Sequence, residues 1–337
     1  MNISRKAILT GAANTYASVA VLHFPAGAAE FNYKWGHIFP LTHPAAARAQ
    51  EACDKLTQES GGRLEIKLFP NFQLGTEASL VTQLRAGAIE FVTTGNSNMG
   101  TVVPAAGITY IPFAFSGFKQ AWNAVDGALG VSLRNAIRKQ SFYVFEKEWD
   151  TGFKQVFNQV RPILKLDDCK GMKIIVSPNP YSTAIFKAIG SSPTPLSGGE
   201  YYTALQTHLA DGNEATLDSH LNFKWYEVTK YGTITNHTWA GLLNLANVDA
   251  MQRLPKNIRD MVERRVNEFA IVERNDVMRG AETAITALKG HGIAFNQPDN
   301  IQEFKAALRT AGLYSQWRDQ FGSDVWTVLE KAVGKLT

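Results

Sequence analysis

Cysteine is almost missing from the 337-residue chain, with Cys53 and Cys169 the only two. That count excludes a disulfide framework and a cysteine-built zinc site, and leaves room for a single bridge. A surplus of one charge is missing as well: 34 Lys and Arg stand against 30 Asp and Glu, a formal +4. No basic run interleaved with aromatics occurs, so there is no electrostatic footprint for nucleic acid. The nucleophile elbow G-x-S-x-G, H-E-x-x-H, the P-loop and G-x-G-x-x-G are all absent, which removes the commonest signatures of enzymes and nucleotide binders. The seven histidines, His23, His37, His43, His208, His220, His237 and His291, show no i, i+4 pairing and no clustering with carboxylates, so neither a metal nor a cofactor is expected. With 45% hydrophobic and 19% charged residues the chain is of globular composition, which excludes disordered and collagen-like classes. Its length exceeds what one core organises, and two domains are expected.

The first residues explain part of the charge. Arg5 and Lys6 precede an Ala-, Val- and Leu-bearing stretch from Ala7 to Phe24, and Ala26-Gly27-Ala28 has the small-x-small form of a signal-peptidase site. Residues 1–28 are therefore expected to be a removed signal peptide, which places the mature chain in the periplasm. The apolar stretch is interrupted by Thr10, Asn14, Thr15, Ser18 and His23 and is short for a span of about 20 residues. Without these residues the balance is 32 basic against 30 acidic, or +2. No later segment is long and apolar enough to cross a membrane, and the mature chain is not expected to span one.

The remainder alternates strand and helix. Phe31 to Trp35 reads as a strand and Pro44 to Ser60 as a helix, started by Pro44 and ended by Gly61-Gly62. Leu64, Ile66 and Leu68 alternate with Glu65 and Lys67 as a half-buried strand. Glu77, Leu80, Val81 and Leu84 sit at helical spacing. Ile89 to Thr94 is a strand leading into a polar loop, Gly95-Asn96-Ser97-Asn98. Trp122 to Lys139 reads as one helix before a strand at Phe142 to Phe145. This β-α-β-α-β succession implies a largely parallel sheet covered by helices. A second unit follows: strand Lys173 to Val176, helix Tyr181 to Ile189, extended Pro193 to Leu196, helix Glu200 to Leu209. Phe153 to Asn158 and Leu242 to Val248 are placed to cross between the units. A long helix after Pro255 runs towards Leu288, and amphipathic helices occupy Ile301 to Leu313 and Trp317 to Leu336.

Candidate ligand groups lie at strand ends, where open α/β sheets bind their ligands. His37 and His43 flank the loop after the first strand, Asn96, Ser97 and Asn98 follow the third, and Trp149 and Asp150 follow the strand at Phe142. Glu146 and Glu148 at the end of that strand form a candidate acid–base pair on one face, which solvation of strand-end charges argues against.

Several strings, in order, carry a resemblance. They are Gly61-Gly62-Arg63-Leu64-Glu65-Ile66, Phe69-Pro70-Asn71 with Gln73-Leu74-Gly75, and Gln83-Leu84-Arg85-Ala86-Gly87-Ala88-Ile89-Glu90. Pro112-Phe113-Ala114-Phe115, Lys170-Gly171-Met172-Lys173, Tyr202-Thr203-Ala204-Leu205-Gln206, Asp211-Gly212, Phe223-Lys224, Tyr226-Glu227-Val228 and Thr235-Asn236-His237 continue the series. Over roughly residues 31 to 270 the chain resembles DctP-type solute-binding proteins of TRAP (tripartite ATP-independent periplasmic) transporters. The resemblance implies an α/β, two-lobed periplasmic binding protein (type II-like) with crossing hinge strands and a long helix spanning both lobes. Lobe 1 is expected at 29–152 and lobe 2 at 153–239. Residues 240–337 are expected to supply the returning strand, the long helix and the C-terminal helices. The implied function is capture of a small organic solute, most often a carboxylate, for delivery to small and large membrane permease subunits, with no catalytic residue.

The family holds its acid with an Arg in the strand after Lys-Gly-hydrophobic-Lys, and here that position is Ile175. Lys154 stands where the family often has Arg, and Glu214-Ala215 where it has Glu-Asn. A guanidinium gives a carboxylate two parallel charge-assisted hydrogen bonds that isoleucine cannot supply. Two readings stay open. In one the ligand is an acid, aromatic or aliphatic in body, held by Lys154 with Asn96 and Ser97, and Ile175→Arg would improve binding. In the other it is neutral or an amine, held by Trp149 and Trp239 with Asp150, Asp218 or Glu214 as anionic partner. An enzyme on the same scaffold, using Glu148, Asp150 or His220, is the rival from another class.

Overall fold

The computed structural model describes residues 29–336, so the expected export signal lies outside the described residues. The chain opens with β1 (Phe31–Gly36), α1 (Pro44–Glu59), β2 (Leu64–Phe69), α2 (Glu77–Arg85) and β3 (Phe91–Gly95). β1 pairs in parallel with both β2 and β3, the arrangement that helical crossovers produce. In β2 the apolar positions are buried and Glu65 and Lys67 exposed, so the alternation sets which face meets the helices. Pro44 begins α1, and the buried His43 ring accepts the Ala45 N–H at 3.1 Å as its N-cap.

Two readings of the next stretch are corrected. The segment expected as a polar loop forms the short helix α3 (Asn96–Met99). The single helix expected over 122–139 is two, α4 (Phe118–Asp126) and α5 (Ala128–Arg138), broken at Gly127. The break brings backbones so close that a Cβ on Gly130 would lie 1.7 Å from the Val125 carbonyl oxygen, a contact no larger residue tolerates.

Then come β4 (Phe142–Val144), β5 (Trp149–Asn158), β6 (Lys173–Val176), α6 (Pro180–Ala188), β7 (Ser192–Pro195), α7 (Tyr201–Gln206), β8 (Gly212–Thr216) and α8 (Leu217–Asn222). β9 (Tyr231–Asn247) is 17 residues long. It is followed by α9 (Val248–Arg253), α10 (Lys256–Gly290), β10 (Ala294–Asn296), α11 (Ile301–Thr310), α12 (Leu313–Phe321) and α13 (Ser323–Val333). The strands join in the order β2-β1-β3-β9-β5-β8-β6-β7, with β4 and β10 also on β9. β9 and β5 are the crossing strands. Towards its C-terminal end β9 pairs with β3 in lobe 1, and β5 pairs with β8 in lobe 2. The register between them shifts around Gly152, whose φ is 90°, giving the crossing a bulge where it must bend.

α10, at 35 residues, is about 50 Å long and packs on α1 and β5 and then on α8. Ile258, Val262, Val266 and Ala270 enter the lobe 1 core, and Leu288 enters a lobe 2 core with Phe157, Ile175 and Leu205. A further core joins α4, β5, β6 and α6 to the C-terminal helices through Trp317, Trp326 and Leu329. Cys53 and Cys169 are buried free thiols in different cores, so the bridge left open by the sequence does not form. No helix among the described residues is long and apolar enough to cross a membrane.

Candidate functional site

Between the lobes lies a cleft with about 700 Å³ of empty space, open solvent at its mouth included. Lobe 1 contributes the residues after β1, the start of α2 and the turn into α3. Lobe 2 contributes Lys154 from the middle of β5, the ends of β6 and β8 and the loop after α8. The lobes touch across it: a Cβ on Gly198 would lie 3.2 Å from the Phe72 ring, and the Phe72 and Phe223 centroids are 6.2 Å apart. Phe72 crosses from a backbone at φ 58°, beside Asn71 at 54°, a left-handed pair that is uncommon outside glycine.

The polar floor is centred on Lys154. Its Nζ donates to Ser177 Oγ at 2.7 Å and Glu214 Oε1 at 3.0 Å, and lies 5.2 Å from the Tyr110 ring centroid. Glu214 Oε1 also accepts the Ser177 N–H at 3.1 Å, and Oε2 lies 3.3 Å from His237 Nε2. Burial alone would raise the Glu214 carboxyl. The Lys154 charge, aided by His237, outweighs it and holds Glu214 below the usual carboxylate range. Glu214 side-chain exposure is 0% and that of Lys154 10%, so the lysine is the group of this pair that reaches solvent in the cleft. Opposite, Glu77 accepts the Gly95 N–H at 2.9 Å and a bond from Asn98 Nδ2. Burial raises its carboxyl in spite of these donors and of Lys154.

Of the residues singled out from the sequence, Asn96, Ser97, Asn98, Lys154 and Glu214 line the cleft. The Asn96 amide, however, points away, donating to Thr109 Oγ1 and Glu148 Oε2, both at 2.7 Å. The other candidates sit elsewhere. His37 and His43 are fully buried and pushed down to about 3 by desolvation; they order the loop after β1, with His37 Nδ1 accepting the Phe39 N–H at 3.2 Å. Trp149 is in the lobe 1 core, 6.4 Å from Trp35 and donating to the Val266 carbonyl. Trp239 is in the core shared with the C-terminal helices, edge-on to Phe115, and Gly241 is required beside it, because a Cβ there would lie 2.4 Å from the indole.

Asp150 is buried at the crossing, where its carboxylate accepts from Trp122 Nε1 and the Gly152 N–H, both at 2.6 Å. Asp218 lines a separate small cavity behind the crossing with Phe118, Gly152 and Val277. His220 stacks on Phe157 at 3.5 Å. Glu146 is exposed while Glu148 is buried on Asn96, so the paired acids of the sequence reading do not share an environment.

Ile175 needs the largest correction. Its Cα partner is Asn213, which pairs with Phe157, whereas Glu214 pairs with Val156 and Lys154 with Thr216. Directly opposed residues share a sheet face and neighbours alternate, so Ile175 lies on the face opposite Lys154 and Glu214. It is fully buried in the lobe 2 core.

Sequence reasoning missed Glu77, Ser177, Tyr110 and the aromatic side of the cleft. Phe223 and Trp225 stack at 4.8 Å, Trp225 and Tyr201 at 4.7 Å, and Phe39 and Phe72 face Phe223 from the other lobe. The available signal was the aromatic cluster Phe223-Lys224-Trp225-Tyr226 directly after α8.

Residues 35–317 match the profile of the bacterial extracellular solute-binding proteins, family 7, the DctP family. The chain belongs to this family. Proteins similar to it include the 2,3-diketo-L-gulonate-binding periplasmic protein of Escherichia coli, 27% identical over 91% of this chain and 94% of the relative. The sialic acid-binding periplasmic protein of Vibrio cholerae is 25% identical over 82% of this chain and 85% of its own length. Among solved structures, the TRAP periplasmic solute-binding protein of Sulfurospirillum deleyianum with bound succinate superposes with a TM-score of 0.84 at 25% identity, covering 90% of this chain and 98% of its own. The sugar acid-binding protein of Advenella mimigardefordensis in complex with galactonate gives 0.85 at 24%, covering 91% and 98%. The two-lobed α/β fold and the DctP assignment expected from the sequence both hold. The chain is a TRAP-type solute-binding protein and not an enzyme.

Proposed function

We propose that the inter-lobe cleft captures a small organic acid through Lys154 and delivers it to small and large membrane permease subunits. The mature protein is periplasmic, released from a signal at residues 1–28. The observation that carries the reading is the Lys154 ammonium, the only cationic side chain lining the cleft among the described residues, oriented by Glu214 and Ser177. A compact ammonium replaces the bidentate guanidinium of the family as a point charge. Ser97 and the backbone N–H groups at the turn into α3 offer hydrogen bonds from the other side. The acids named for the E. coli, V. cholerae and S. deleyianum proteins support the same class. The lobes, drawn at 29–152 and 153–239, move about β5 and β9, and solute contacting both sides shifts the equilibrium to the closed form that the permease reads.

Calorimetric titration with organic acids tests the reading. At least one acid is expected to bind and be recovered unchanged, and Lys154→Met is expected to weaken it at least tenfold. Undiminished affinity in that variant, or tighter binding of amines than of acids, overturns it.

A further inference from the structure

We infer that the acid carried is an aromatic monocarboxylate, its ring on the wall formed by Phe39, Phe72, Phe223, Trp225 and Tyr201 and its carboxylate at Lys154. The inference rests on the organic-acid reading and deepens it by three observations.

The first is the wall. The five rings come from both lobes and form a continuous contact chain, with the Trp225 ring stacked between Tyr201 and Phe223. Phe72 and Phe223 are only half-buried and line the cleft, so ring surface is available to a flat ligand, which gains offset-stacked or edge contacts as well as apolar burial.

The second is the state of the polar lining. Thr151 Oγ1 donates to the Ala240 carbonyl at 2.9 Å, and Thr216 Oγ1 and Ser219 Oγ are 2.7 Å apart. Asn98 is spent on Glu77, Asn96 on Thr109 and Glu148, and Ser177 Oγ on Lys154. A polyhydroxylated sugar acid needs a partner for each hydroxyl it desolvates. Here, apart from the Ser97 and Tyr201 hydroxyls, the side chains that would serve are bonded to one another.

The third is charge. Lys154 faces two carboxylates of the lining, Glu214 and Glu77. The Lys154–Glu214 pair is already neutral, so one ligand carboxylate gains the Lys154 donor but adds a negative charge to the cleft, and a second carboxylate, at the α2 end, adds another beside Glu77 in a poorly solvated site. Dicarboxylates are therefore disfavoured.

The experiment uses the purified protein freed of co-purifying solute, titrated by calorimetry and by tryptophan fluorescence. The probes are phenylacetate, indole-3-acetate, D-galacturonate, succinate and 2-phenylethylamine. One of the two aromatic acids is expected to bind at least tenfold tighter than galacturonate and succinate and to change the tryptophan emission. Phe223→Leu is expected to weaken it about three- to tenfold, the range of a lost aromatic pair, with Phe223→Tyr restoring it. Preferred binding of galacturonate or succinate overturns the aromatic inference and leaves the acid reading standing. Preferred binding of 2-phenylethylamine overturns the acid reading itself. An aromatic acid that binds equally well to Phe223→Leu overturns the assigned wall.

Discussion

The buried acids behind the crossing strands make folding stability depend on pH with a sign that can be worked from the structure. Asp218 on α8 lines the small hinge cavity, and a Cβ on Gly280 of α10 would lie 3.6 Å from its carboxylate. Burial, then the Asp150 charge, push its carboxyl up to about 7. Glu273 on α10 completes the group: its Oε2 accepts the Asp150 N–H at 2.9 Å, its Oε1 has no partner, and burial followed by the Asp150 charge raise it strongly. The cationic neighbour Arg274 is turned to Asp126 and to the Glu148 carbonyl.

An unfolded aspartate titrates near ~4, so the native state binds the Asp218 proton more tightly. Its contribution to stability is complete below pH ~4, is lost as the pH rises through about 7, and stays lost above. A rise of roughly three units corresponds to ~4 kcal/mol as an upper bound, shared among the coupled acids. Asp218→Asn removes the titration. It is expected to leave stability near pH 4 within ~1 kcal/mol and to raise it by ~2–3 kcal/mol at pH 8. Urea unfolding followed by tryptophan fluorescence between pH 4 and 8 reads this difference. Asp167→Asn, at an exposed pair with Lys170, is the control that leaves the slope unchanged. Parallel stability curves for Asp218→Asn and the parent would refute the reasoning, because a repelled buried charge must show a pH-dependent gain when neutralised.

The β-α-β succession of lobe 1 was legible because its strands alternate and its helices carry start and stop residues. β8 and the first half of β9 were not. Gly212-Asn213-Glu214-Ala215-Thr216 reads as polar, yet it is a fully buried central strand whose polar side chains face the floor of the cleft and the core behind it. Hydropathy cannot distinguish such a strand from a loop. Trp149 and Trp239 follow the same logic in reverse: aromatics near strand ends suggest ring walls, and only packing shows both to be core, while the wall comes from the loop after α8. Lys154 and Glu214 were legible individually. Their 3.0 Å pairing depends on the register of β5 and β8, which no local pattern encodes.

Three further substitutions probe the fold and the cleft. Gly212→Ala places a Cβ 2.2 Å from the Phe157 carbonyl and is expected to lose ~2 kcal/mol in urea unfolding; an unchanged midpoint counts against the close β5–β8 approach. Gly198→Val pushes on Phe72 and is expected to hold the lobes apart, so that small-angle scattering shows no compaction at saturating solute; normal closure rejects the contact. Ile175→Arg, which the family resemblance alone would favour as a repair, is expected to do harm. The substitution puts a guanidinium on the sheet face away from Lys154, among Phe157, Tyr201 and Leu205 and beside Asn213, whose buried amide already lacks partners. An uncompensated buried charge loses ~3–5 kcal/mol, which circular dichroism melts would register as a large fall in Tm, and calorimetry would show no gain in acid affinity. A stable variant with improved affinity would mean that an arginine here reaches the cleft by displacing Tyr201. Part of the aromatic wall would then be exchangeable for the guanidinium of the family, and the absence of that arginine would be the price of the wall.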